Sequence, residues 1–139
     1  MDSNALVNGQ LGSGLRLVAA LGDAGVDIVA AFWAKLTEAP GWSLYLASPV
    51  VDTKAGSLGA YGSLLRTLVR RPELEIDSDD VLFIDVDDSM AVEAAEVVKS
   101  KVINGKPYTG ITRFKGDTLG GLEIDGAYIY PPPRAPVTA

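Results

Sequence analysis

Val26–Leu36 reads VDIVAAFWAKL, and its side chains alternate. Val26, Ile28, Ala30, Phe32, Ala34 and Leu36 fall on one side, with Asp27, Val29, Ala31, Trp33 and Lys35 on the other. A period of two is the signature of a strand. Thr37-Glu38-Ala39-Pro40-Gly41 then supplies turn chemistry, and in WSLYLA, residues 42–47, Trp42, Leu44 and Leu46 alternate with Ser43, Tyr45 and Ala47. The two runs make a hairpin.

Helical periodicity brackets this hairpin. On the N-terminal side Leu11, Leu15, Val18 and Leu21 give a partial stripe, which predicts a helix from about Ser13 to Ala24, with Gly25 suited to the left-handed position past its end. On the C-terminal side Leu58, Tyr61, Leu65 and Leu68, widened by Leu64 and Val69, predict a helix over 57–71 that Pro72 stops. Val81-Leu82-Phe83-Ile84 is a short, wholly apolar run, the pattern of a strand covered on both faces and hence central in a sheet.

A third helix is expected from Met90 to about Val102. It would bury Ala91, Ala94, Ala95, Val98 and Val102 and leave Glu93, Glu96 and Lys99 outside. Asn104-Gly105-Lys106-Pro107 ends it, and strands over about 111–115 and 122–130 form a second hairpin around a Gly116-to-Gly121 loop. The expected register sets Phe114 opposite Leu122 and Arg113 opposite Glu123.

Two of the strand pairs in this order are local hairpins, which does not suit a doubly wound βαβ alternation. The expectation is an α+β fold in two layers: a mixed or mainly antiparallel sheet of about five strands (hairpin, central strand, hairpin) with about three helices on one face. At 139 residues, 47% hydrophobic and 22% charged, the chain suits one domain, residues 1–130, followed by a Pro-rich tail over 131–139.

Three stretches, AALGDAGVDIVAAFWAK at 19–35, WSLYLASPVVD at 42–52 and RRPELEID at 70–77, resemble small uncharacterised bacterial α+β proteins with no assigned activity. The resemblance runs from Leu17 to about Asp80, roughly half of the chain. It implies that the first hairpin and the helix after it form one continuous domain, and it implies no catalytic residue.

Composition removes most chemistry. Without cysteine there is no disulfide, thiolate nucleophile or Cys-based metal site, and without histidine there is no Ser-His-Asp triad or HExxH site. A net charge of −6 disfavours nucleic acid as a partner. Met1-Asp2-Ser3-Asn4 lacks a basic start and Arg16 interrupts the apolar run from Leu15 to Leu21, so neither a signal peptide nor a membrane span is expected and a cytoplasmic location is.

Asp77, Asp79, Asp80, Asp85, Asp87 and Asp88 form the one dense acidic cluster. Asp85-Val86-Asp87 leaves an apolar strand as the paired carboxylates of a nucleotidyltransferase do, and such a group could hold Mg²⁺ against a triphosphate. Helix capping by Asp88 or Ser89 and turns at 77–80 account for the same residues with less, so no metal and no cofactor are expected. A PD-(D/E)xK nuclease would enlist Asp117 and Glu123, but Asp125 stands where its lysine belongs. Arg66, Arg70 and Arg71 suit a helix C-terminus, and Pro133-Arg134-Ala135-Pro136 carries a PxxP spacing.

The outer side of the first hairpin resists such accounts. If Phe32 opposes Leu46 toward the core, Trp33 lies beside Tyr45 on the other side, flanked by Val29, Ala31 and Ala47. These five residues are the candidate binding surface. Either the chain covers them itself, for which Leu6, Val7 and Leu11 are available, or a partner or second copy does. A non-catalytic binding or self-associating module, possible as a homodimer, therefore ranks first. The alternative is a divalent-metal-dependent phosphoryl or nucleotidyl transfer enzyme using Asp85, Asp87 and Asp88.

Overall fold

A computed structural model describes residues 8–49, 56–100, 102–103, 105–107, 110–114 and 116–131. Helix α1 spans Asn8–Asp23, starting earlier than its apolar stripe suggests. Gly14, Leu17, Val18 and Leu21 form its buried side. Its end is a Schellman motif: Gly25 sits at φ +91°, the Val26 N–H donates to the Leu21 carbonyl at 2.9 Å and the Gly25 N–H to Gly22 at 3.1 Å. The turn aims the chain into the sheet with Val26 and Ile28 already buried. Regular pairing begins only at Ala30, so strand β1 is Ala30–Leu36 rather than the whole alternating run.

Strand β2, Ser43–Ala47, pairs antiparallel with β1, as the hairpin reading requires. Its register differs by one residue from the expected one: Phe32 opposes Tyr45 and Trp33 opposes Leu44. A one-residue slip exchanges the faces of a whole strand. Leu44 and Leu46 therefore join Trp33 on one face, and Tyr45 joins Phe32 on the other.

Helix α2, Gly56–Arg70, carries the chain across the Trp33 face to strand β3, Val81–Ile84, which pairs parallel with β2. Val81–Ile84 thus lies at the edge of the sheet and not at its centre. Its continuous apolar pattern has another origin. α2 buries Val81 and Phe83, Tyr61 meeting the Phe83 ring edge-on at 4.9 Å, while Leu82 on the opposite face is 39% exposed. The Tyr61 hydroxyl also accepts the Phe83 N–H at 3.1 Å, which satisfies one of the outward-facing backbone groups of an edge strand.

Helix α3, Ser89–Lys99, packs on the other face. Its start is the one capping predicts: the Asp88 carboxylate accepts the Met90 N–H at 2.9 Å. Four short strands follow: β4, Val102–Ile103, with β5, Lys106–Pro107, in a separate two-stranded ladder, then β6, Thr112–Phe114, and β7, Thr118–Leu119. Val102, expected at the end of α3, belongs to β4. Strand β8, Leu122–Ile129, runs between β1 and β6, giving the order β3-β2-β1-β8-β6 with β7 also paired to β8.

The second hairpin shifts its register because β7 occupies the segment next to Leu122. Leu119 opposes Leu122 across Gly120 and Gly121, both at positive φ, while Phe114 opposes Ala127 and Arg113 opposes Tyr128. Glycine is required at position 120 for a second reason: a Cβ there would collide with the Met90 backbone at the start of α3. The Gly120 N–H donates to the Glu93 carboxylate at 2.7 Å, fastening this turn to the helix.

The structure is α+β with a mixed sheet, and the expected single helical layer is replaced by one on each face. α1 and α2 cover Ala31, Trp33, Leu44 and Leu46, and α3 covers Phe32, Ala34, Ala127 and Ile129. Apart from Lys35, β1 is apolar on both sides, and it is buried throughout except at Leu36, so one layer would leave half of it bare. Pro131 excepted, the expected tail, with its Pro133-to-Pro136 motif, lies outside the described residues, as do Leu6 and Val7.

Candidate functional site

The register divides the five residues of the candidate surface. Trp33 is 2% exposed and faces α1, with Ala31 buried beside it. Its indole N–H donates to the Tyr130 hydroxyl at 2.8 Å, and that hydroxyl donates to the Leu11 carbonyl at 2.6 Å. Gly14 makes this close approach possible, since a Cβ on it would run into both the Tyr130 hydroxyl and the indole nitrogen. Burial pushes the Tyr130 phenol up to about 12, against a smaller downward pull from the Trp33 hydrogen bond. The chain itself therefore covers Trp33, and a helix does so.

Tyr45 and Ala47 lie on the opposite face. Tyr45 stacks on Phe32 with ring centroids 5.2 Å apart. Its phenol is raised above its ordinary value by burial first and by the nearby Asp88 charge second. Ala47 packs with Ala30 and Ala91 at the crossing of α3 over the sheet. A single aromatic surface made of Trp33 and Tyr45 thus does not form. Val29 alone of the five stays at the surface, 46% exposed, where its N–H donates to the Ala47 carbonyl at 2.9 Å.

Val29 opens onto a cleft that the sequence reading did not foresee. Between the start of β1 and α3 lies a space of about 330 Å³ lined by Val29, Ala30, Val86, Ala91, Val92 and Ala95, with Glu96 and Lys99 as its charged residues. Its shape follows from residue size. Ala30 and Ala91 carry nothing beyond Cβ, and they lie below two larger side chains, Val29 and Val92, that are 46% and 44% exposed. Ala95, expected in the core, lines this cleft and is exposed. One sequence signal pointed here: Val92, Glu96 and Lys99 share a helical stripe at i, i+4 and i+7, an apolar residue on the polar side of α3.

Three of the six acidic residues of the cluster accept local backbone N–H groups. Asp85 accepts the Asp87 N–H at 3.1 Å, Asp77 accepts the Asp79 N–H at 2.9 Å, and Asp88 caps α3. Asp80 titrates above its ordinary range, through burial first and the charges of Asp77 and Asp79 next. Among the described residues no group of three or more acidic side chains is placed to hold a metal ion. Glu123 opposes Thr118, and Arg113 instead lies over the Tyr128 ring at 5.7 Å. Arg71 pairs with Glu73 at 2.7 Å on the surface, which lowers the Glu73 carboxyl by hydrogen bonding first.

One buried charge escaped the sequence reading. Lys35 lies on the Trp33 side of β1 and its amine meets Asp125 at 2.7 Å, next to the register shift at Lys35/Leu36 where β1 pairs with β8. Gly126 lies beside this pair, and Trp42 occupies the space a side chain would take there. The pair is long-range in sequence, and nothing local signals it.

Comparison of the chain with family models, with curated proteins and with solved structures returns no match. No described helix is long and apolar enough to cross a membrane.

Proposed function

We propose that this protein is a non-catalytic binding module whose contact surface is the α3 cleft. The observation that carries the reading is the pair Val29 and Val92, nearly half exposed on either side of an alanine-floored apolar space. An apolar cleft open to solvent gains free energy when a branched aliphatic side chain enters it, because apolar area leaves water. Its two charges sit among the lining residues as an acid and a base, Glu96 and Lys99, and supply orientation to whatever seats there. The chain has no histidine or cysteine, and among the described residues the cleft holds no carboxylate cluster that would make it a reaction centre.

The test uses a neutral aliphatic probe, N-acetyl-leucine amide, titrated into methyl-labelled protein. The valine methyls of Val29, Val86 and Val92 should shift together and saturably, and Val92→Glu should abolish the response while leaving the melting temperature within a few degrees. Uniform shifts at Leu15, Leu65 and Val69, which are exposed elsewhere, would refute the cleft as a binding site.

A further inference from the structure

We infer that the occupant of the α3 cleft is the same cleft of a second copy, so that the chain forms a symmetric dimer across α3. This rests on the binding reading above and adds the identity of the partner. Charge selects it. Among the described residues that line the cleft, Glu96 and Lys99, one helical turn apart, are the charged ones, one of each sign. A partner segment of uniform charge meets one like charge there whichever sign it carries. A second copy does not.

A twofold axis perpendicular to α3 reverses its direction, so a Glu-then-Lys order on one copy runs against Lys-then-Glu on the other and opposite charges come together. The apolar part is self-complementary in the same way. Val29 and Val92 form the raised flanks, while the exposed Ala95, which carries nothing beyond Cβ, leaves room for the flank of a neighbour. With −6 on each copy, any contact must also avoid adding local repulsion, and described lining residues that carry one charge of each sign do so.

The contact is small. α3 has 11 residues, about 16 Å of helix, which places the interface in the weak, transient class. Association should therefore appear at roughly 0.1–1 mM, the range of a few kcal/mol of binding free energy.

Sedimentation equilibrium of the full chain from about 10 μM to 1 mM tests this range. The wild type should pass reversibly from monomer to dimer. Val92→Glu should weaken the dimer at least tenfold and Lys99→Glu about fivefold, as expected for two exposed charge pairs turned repulsive. The double variant Glu96→Lys with Lys99→Glu should restore wild-type association within about threefold, because the swapped charges still oppose each other. Arg66→Glu, on α2, changes net charge as Lys99→Glu does and should have no such effect.

A double variant as weak as the single one, or a dimer indifferent to Val92→Glu, overturns the inference. A wild type that stays monomeric throughout while its cleft methyls still answer N-acetyl-leucine amide overturns the second-copy occupant and leaves the binding module standing. A monomer whose cleft is silent overturns both.

Discussion

Gly14→Ala adds one methyl group to the buried side of α1, at the point where the helix lies against the sheet. On helix propensity alone the change should stabilise by about 0.5–1 kcal/mol, since alanine loses less backbone freedom. The surroundings oppose it. The new Cβ would stand 2.8 Å from the Trp33 indole nitrogen and 3.1 Å from the Tyr130 ring carbon that bears the hydroxyl, and closer still to that hydroxyl. Neither neighbour is free to move, because both are buried and hydrogen-bonded to each other.

Overpacking of this kind costs about 1–3 kcal/mol, and moving the phenol off the indole N–H or the Leu11 carbonyl adds about 1–3 kcal/mol for a buried group left unpaired. The propensity gain is the smaller term. A net loss of about 2 kcal/mol is expected, read by urea unfolding with tryptophan fluorescence. Gly12→Ala and Gly22→Ala on the same helix have nothing within 4 Å of the new Cβ and should be neutral or mildly stabilising. Tyr130→Phe removes the nearest atom, so Gly14→Ala should cost less in that background, a coupling a double-mutant cycle resolves. If Gly14→Ala matches Gly12→Ala, the account of how α1 is held to the sheet is wrong.

Three other outcomes follow from the same geometry. Trp33→Ala and Phe32→Ala should each lower stability by about 3–5 kcal/mol, because both rings are fully enclosed by this chain, and Trp33→Ala should leave the sedimentation mass unchanged at a concentration where the fold persists. Asp88→Ala should cost about 1 kcal/mol through the lost cap, and it should also lower the Tyr45 phenol toward its ordinary value, visible as an earlier rise in tyrosinate absorbance on alkaline titration. Tyr130 should make stability fall as pH rises from 10 toward about 12: the unfolded chain releases the phenolic proton in that window while the folded chain keeps it, with a limiting slope of about 1.4 kcal/mol per pH unit. Tyr130→Phe should remove that component, and an unchanged slope between wild type and variant would contradict the buried phenol.

What was legible in the residues themselves was local. Gly25 announced the end of α1 because only a residue at ease at positive φ can close a Schellman turn, and Asp88 announced the start of α3 because its carboxylate reaches an N–H two residues on. The alternation of Val26 to Leu36 announced a strand, although Val26 to Ile28 keep the alternation outside the regular ladder. It also showed that Trp33 and Phe32 point opposite ways, which holds for any strand.

The tertiary structure decided everything that depends on which strand lies beside which. Alternation within β2 says which residues share a face, but not which face of β1 they join. A one-residue difference in register moved Tyr45 away from Trp33 and dissolved the surface the two would have made. An apolar run such as Val81–Ile84 reads alike whether a strand is central or lies at an edge with one face under a helix, because hydrophobicity names neither a strand's neighbours nor its covered face, and Leu82 stays 39% exposed. The cleft is the extreme case. Val29 and Val92 are 63 positions apart, and only the path of α3 over Ala30 and Ala47 sets them on either side of one space.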